Sequence, residues 1–384
     1  MTGSDRPRSW DLTASATTAV IHGLALGTAS VALPLLALGA GYSAAEIGAL
    51  TAVSAVSQLA SRLSLGALMR RVPEWTLVTA SGLFLALSCG VVALSSALAP
   101  FVLAQLLQGF SRAFFWTAST AHLVRGPGRA APRLAVINLA ASVGSLTGPV
   151  LAGLLSERTP VLALTVAAAI AVAGVAPTFL LDRLPPFAPP ADRVSGRLWR
   201  RPGVDVGCCA GLTAGGWQAL LVSYVPVGLV ASGQSASAVG ALVAVANGAM
   251  LVGSGFAGRV SSRWAPAVVL AGILLGGLAV ALSAAVAWST PLSVVVLAAG
   301  GSAAGVLQVL GSAVVAESVH PEERGEAVAT SGTFRAIAML AAPLAVAGLI
   351  SAIPLTPALV VVGTALGLPA VVLRRHARPG PATG

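Results

Sequence analysis

Apolar residues run through this chain in blocks of about twenty, separated by short polar gaps. A helix rising 1.5 Å per residue needs about that length to cross the hydrocarbon of a bilayer. The blocks predict about twelve spanning helices, at roughly 12–38, 46–66, 76–95, 100–123, 134–155, 160–181, 204–230, 237–258, 266–286, 291–316, 327–350 and 355–373. Proline and glycine inside these runs do not veto a helix, because neighbouring helices can satisfy the backbone groups they free. The expected fold class is an all-α integral membrane protein of two homologous six-helix bundles. The expected domains are 1–181 and 202–384, joined by a cytoplasmic linker at 182–201.

The linker is the longest polar stretch, with four prolines and five arginines between Asp182 and Arg201. A repeat supports the division. Ile47-Gly48-Ala49-Leu50-Thr51-Ala52-Val53 aligns with Val239-Gly240-Ala241-Leu242-Val243-Ala244-Val245 at an offset of 192, and the same offset sets Gly66 on Gly258 and Arg71 on Arg263.

Composition narrows the class further. Of 384 residues, 56% are hydrophobic and 9% charged, too few charges for a soluble skin. The net charge of +10 comes from 22 basic residues, all arginine. They gather in alternate gaps (Arg70 and Arg71; Arg125, Arg129 and Arg133; Arg183, Arg193, Arg197, Arg200 and Arg201; Arg259 and Arg263; Arg374, Arg375 and Arg378), which reads as positive-inside orientation and not as a nucleic-acid surface. Both termini are expected in the cytoplasm, with the first run an uncleaved span of a plasma-membrane protein. Arginine-only usage with abundant Ala, Gly and Pro points to a high-GC, bacterial source. Cys89, Cys208 and Cys209 match neither a zinc site nor a redox pair. No nucleophile–base, metal or phosphate-loop arrangement stands out, so neither enzymatic activity nor a cofactor is expected. The partners expected are a small-molecule substrate, membrane lipids and protons, for a monomer.

Several segments resemble the major facilitator superfamily, and the resemblance covers the whole chain. Gly66-Ala67-Leu68-Met69-Arg70-Arg71-Val72-Pro73 is similar to the family's signature between its second and third helices, with Arg70 where an acid that helps latch the cytoplasmic gate is usual. Gln108-Gly109 with Ala113 resembles a fourth-helix motif. Gly144-Ser145-Leu146-Thr147-Gly148-Pro149 is similar to the fifth-helix signature of antiporters and exporters, and Arg324-Gly325-Glu326-Ala327 with Phe334-Arg335 and Pro343 resembles the eleventh helix. The resemblance implies secondary transport by alternating access, with the first, fourth, seventh and tenth helices lining a cavity. Gly144 and Gly148 form a small-xxx-small pair and Pro149 permits a bend, which suits either a moving junction between halves or ordinary packing.

Candidate site residues follow from buried polarity. Gln105, Gln108 and Arg112 fall on one face of the fourth run, extended by Phe115 and Ser119. Arg112 and Arg335 are arginines inside apolar runs, a costly placement unless each meets a partner, water or a ligand. Together they suggest an anion clamp, since a guanidinium binds carboxylate or phosphate through two parallel bonds. Trp217, Gln218 and Gln308 add aromatic and amide groups suited to an amphipathic organic ligand. His22, midway along the first run, is the expected proton-coupling group, with Asp11, Glu46, Asp205 and Glu317 as carboxylate alternatives at helix ends. The leading reading is a proton-coupled exporter of a small amphipathic, anionic organic molecule. A symport importer of an organic anion, a lipid flippase and a non-transporting sensor on the same fold stay open.

The orientation is testable with a membrane-impermeant maleimide on intact cells. Cysteines at Ser96, Gly233 and Thr356 should label from outside, and one at Gly128 only after permeabilisation. Labelling of Gly128 in intact cells would reverse the topology.

Overall fold

A computed structural model describes residues 9–125, 130–186, 199, 201–261, 263–319 and 324–373. Of the residues singled out above, Gly128, Arg129, Pro189, Pro190, Arg193, Arg197, Arg200, Arg374, Arg375 and Arg378 lie outside these. Thirteen α-helices follow in order: α1 Ser9–Gly39, α2 Ala44–Leu68, α3 Glu74–Leu94, α4 Leu98–Arg125, α5 Ala130–Ser156, α6 Pro160–Ala173, α7 Val204–Leu221, α8 Tyr224–Ala231, α9 Ala236–Ala257, α10 Ala265–Ser283, α11 Thr290–Glu317, α12 Arg324–Leu349 and α13 Leu355–Leu373. No strand occurs among the described residues.

Nine helical stretches among the described residues are long and apolar enough to cross a membrane, and α7 with α8, bent by 44°, make a tenth. The other two expected passes are α2, which carries Glu46, Arg62 and five hydroxyl side chains, and α13, whose apolar stretch is shorter. Twelve passes are consistent with this set.

The expected seventh run is broken, and the sixth changes from α-helix to 3-10 within its span, for one reason. Proline has no N–H, and its ring crowds the carbonyl four residues before it. Pro226 lies four residues after Val222, where α7 gives way to α8, and Pro177 lies four after Ala173, where α6 passes into a 3-10 turn at Ala176–Leu180. Pro34, Pro149, Pro343 and Pro369 stay inside continuous helices.

The chain divides into two compact units: Met1–Ala40 with Val53–Ala191, and Gly41–Ala52 with Asp192–Gly384. In the first, α1 packs against α5 and α6, and α3 against α4 and α6. In the second, α7 packs against α12, α11 and α10, α11 against α9, and α10 against α13. The repeat reaches the helix ends. α2 and α9 start at Ala44 and Ala236, 192 positions apart, each preceded by a serine cap. Ser43 and Glu46 form a reciprocal capping box, with Oε2 of Glu46 accepting from the Ser43 amide at 2.8 Å. Gly66 falls in the last turn of α2, Gly258 caps α9, and Arg71 and Arg263 stand exposed beyond them, Arg263 lying over the Trp264 ring.

Small residues decide which helices approach closely. A methyl group added at Gly144 would overlap the Val20 carbonyl of α1, and one at Gly148 would lie 2.6 Å from the Leu24 carbonyl. The facing residues Gly23 and Gly27 of α1 make the reciprocal approach to Ala141, Ser145 and Gly148. Both glycine pairs therefore pack within the first unit. The second unit repeats the device: Gly211 and Gly215 of α7 meet the α12 backbone at Ser331 and Arg335, and Gly253 of α9 faces Ser302 of α11. Gly48 lies in the second unit, where an added Cβ would collide with the Tyr224 hydroxyl, which itself donates to the Pro343 carbonyl at 3.4 Å.

Large exposed apolar residues line the other faces, among them Leu83, Leu87 and Leu94 on α3, and Leu274, Leu275 and Leu278 on α10. In water such patches would drive association; against acyl chains they are the expected surface.

Two outcomes follow. Gly144→Val should lower stability by about 1–3 kcal/mol through overpacking, read as a falling Tm, whereas Gly90→Ala, with open space around it, should not. An unchanged Tm for Gly144→Val would remove the close α1–α5 approach. Gly233 has φ +86°, so the outward label expected there belongs on exposed Ser232 instead.

Candidate functional site

The first unit buries a polar stripe along α4. Gln105 and Gln108 are buried, and Arg112 donates from Nη2 to Oε1 of Gln108 at 2.9 Å. The spacing of four residues puts the two side chains one turn apart on one face. Nε of Arg112 and Nε2 of Gln108 have no partner among the described residues. One turn further, Phe115, 1% exposed, stacks on His22 of α1, the rings parallel within 8° and their centroids 4.0 Å apart. Nε2 of His22 likewise has no partner among the described residues. Arg112 precedes Phe115 by one turn on the same face of α4. An arginine, an amide and an imidazole thus share one buried neighbourhood, each with hydrogen-bonding capacity left over.

Continuing the stripe by three and four residues leads past Ser119 to His122, which sequence reasoning missed although the spacing points to it. His122 is 2% exposed, and Nε2 lies 2.8 Å from Oδ1 of Asp11. That carboxylate also accepts from the Asp182 amide at 3.0 Å and from Nη2 of Arg133 at 3.1 Å. Glu74 at the start of α3 is buried and pairs with Arg125, three residues after His122 on α4, at 2.5 Å. The two carboxylates tie together α1, α3, α4, α5 and the segment after α6.

In the second unit, Arg335 of α12 donates to Oε1 of Gln218 on α7 at 2.5 Å. Gly215 makes this possible by letting the α12 backbone come close at Arg335. Trp217, 1% exposed, presses its ring against Gly300 of α11, and its indole nitrogen has no partner among the described residues. On α11, Gly305 packs on Met250 of α9 and receives a bond from the Ser254 hydroxyl at 3.3 Å, while Gln308 is exposed.

The helix-end carboxylates also sort themselves. Glu46 is engaged in its capping box, and Asp205 accepts from the Gly203 and Val206 amides at the start of α7. Glu317 is exposed at the end of α11. Of the four, only Asp11 is buried against a titrating partner.

No curated protein matches the sequence. Among solved structures, the nucleoside transporter NupG aligns with a TM-score of 0.75 at 13% identity, covering 96% of this chain and 99% of that one. A bacterial homologue of the human lysosomal transporter Spinster, inward-facing and unoccupied, aligns with a TM-score of 0.73 at 14% identity over 99% of this chain and 100% of its own. At such identities the likeness is one of fold. The sequence model of the Major Facilitator Superfamily matches residues 16–227 and again 206–384. Two matching stretches, two units with repeated helix pairings and a multi-pass apolar architecture agree: the chain belongs to the Major Facilitator Superfamily and is a membrane transporter.

Proposed function

We propose that the chain is a proton-coupled secondary transporter of a small amphipathic organic molecule bearing an anionic group. The observation that carries this reading is the buried cluster of Arg112, Gln108 and His22 on Phe115. Arg112 supplies a permanent charge with an unused Nε–H, Gln108 an unused amide N–H, and Phe115 an apolar face. A carboxylate or phosphate meets the first two through charge-assisted hydrogen bonds. The second unit holds a second guanidinium–amide pair, Arg335 with Gln218.

The sign of coupling follows from electrostatics. Arg112 and a protonated His22 are like charges in a poorly screened setting, and they repel. An anion on Arg112 cancels that repulsion, so anion and proton assist each other's binding, reciprocally. Binding together means travelling together, which favours proton–anion symport and hence uptake. Export by antiport is the second reading, supported by the likeness of Gly144–Pro149 to the exporters' signature. Proton and substrate would then have to compete for one site.

Proteoliposomes containing a pH dye distinguish the two. Candidate organic anions added outside should carry protons inward with them; protons moving outward would establish antiport instead. Arg112→Ala should cut flux roughly tenfold or more, the effect expected from losing a charge-assisted bond of about 1.5–3 kcal/mol, with an unchanged Tm, and Arg112→Lys should recover little. Normal flux in Arg112→Ala would end the reading. His22→Gln, which cannot titrate, should abolish pH-driven flux yet leave exchange down a substrate gradient. Unchanged pH-driven flux would clear His22 of the role.

A further inference from the structure

The Asp11 cluster stands apart from the Arg112 cluster. His22 follows Asp11 by eleven residues on α1, a rise of about 16 Å along the helix. The cluster gathers Asp11 of α1, His122 of α4, Arg133 of α5 and the Asp182 amide that follows α6. These elements form the end of the first unit where α1 begins and α4 finishes.

The bonding fixes the protonation state. Asp11 accepts from the Asp182 N–H and a guanidinium N–H, which suits an ionised carboxylate with its acceptor-only oxygens. Nε2 of His122 must then carry the hydrogen that it gives to Asp11 Oδ1. In the neutral imidazole Nδ1 is then a bare lone pair, buried and without a partner among the described residues. That atom is where one further proton can go.

We propose that His122, held by Asp11, is a proton-binding site that controls the packing of this end of the first unit. Adding the proton at Nδ1 turns an ion pair of zero net charge, Asp11 with Arg133, into a cluster of net charge +1. It also creates a charged N–H with no acceptor among the described residues, a costly arrangement when buried. Both effects vanish if the end loosens and water reaches the imidazole. Protonation therefore favours the loosened arrangement, and loosening favours protonation. The other charged groups at this end are the exposed carboxylate of Asp182, Glu74 on α3 with its partner Arg125 on α4, and Arg183 over the Trp75 ring. Arginine stays charged throughout, which leaves Asp182 and Glu74 as the competing titratable groups.

The Asp182 amide, bonded directly to Asp11, reports the state of the site. Hydrogen–deuterium exchange of peptides spanning 178–186, in lipid nanodiscs at pH 8 and pH 5.5, tests the proposal without substrate and independently of any transport direction. After correction for intrinsic exchange, protection in the unaltered protein should fall about tenfold at the lower pH, a local opening well below global unfolding. His122→Gln places an amide N–H where Nε2–H stood and cannot titrate; it should match the unaltered protein at pH 8 and lose the pH response. Asp11→Asn should be poorly protected at both pH values, and Glu74→Gln and Asp182→Asn should each keep the response. Equal protection of the unaltered protein at the two pH values would overturn the proposal. So would a pH response surviving in His122→Gln, or one lost in Glu74→Gln or Asp182→Asn.

Discussion

Hydrocarbon offers a backbone no hydrogen-bond partners, and it gives apolar helices no reason to prefer each other over acyl chains. The first half of that constraint makes every pass a helix. The second leaves association to close packing and interhelical bonds, which explains why glycine is so heavily used here. α1 meets α5 through Gly23, Gly27, Gly144 and Gly148, and α7 meets α12 through Gly211 and Gly215. Where backbones come this near, side-chain hydroxyls cross over as well: Thr28 bonds the Gly148 carbonyl at 3.2 Å, and Thr213 bonds the Leu366 carbonyl at 2.9 Å. The same contact geometry serves both units because both descend from one repeated pattern of helices.

The constraint also disciplines the polar residues. A guanidinium inside the membrane must be answered, and each unit answers one with the carbonyl oxygen of a glutamine, Gln108 for Arg112 and Gln218 for Arg335. Gln108 is a neutral partner for Arg112, whereas Arg133 is held by the Asp11 carboxylate. Polar side chains at helix ends meet the opposite fate, since the orphan amides there claim them. Glu46 and Asp205 are occupied in this way.

The fold was largely legible in the sequence because the bilayer filters composition so strongly. Run lengths, the linker and the 192-residue offset placed α1 to α13 within a few residues, and only the breaks after Leu221 and Ala173 needed the local effect of Pro226 and Pro177 to be weighed. The candidate site was legible along single helices and illegible across them. The spacing of Gln105, Gln108, Arg112 and Phe115 marked one face correctly, yet nothing in spacing says that His22 lies on Phe115. Gly144 and Gly148 were conspicuous, but their counterparts Gly23 and Gly27 lie some 120 positions away, and only the folded pairing joins them. Gln308 is exposed, while Gly305 on the same helix turns to α9, and spacing along α11 alone does not separate the two.

Gly48 and Tyr224 form a pair whose identities are not independent. The tyrosine hydroxyl occupies the volume in which any side chain at position 48 would begin. A relative carrying alanine or larger at 48 must therefore carry something shorter at 224, or let the helix that follows the proline-induced break swing aside. The two positions should drift together through descent, one substitution opening the way for the other. A sequence change that looks minor at either site is, for this chain, half of a two-step move.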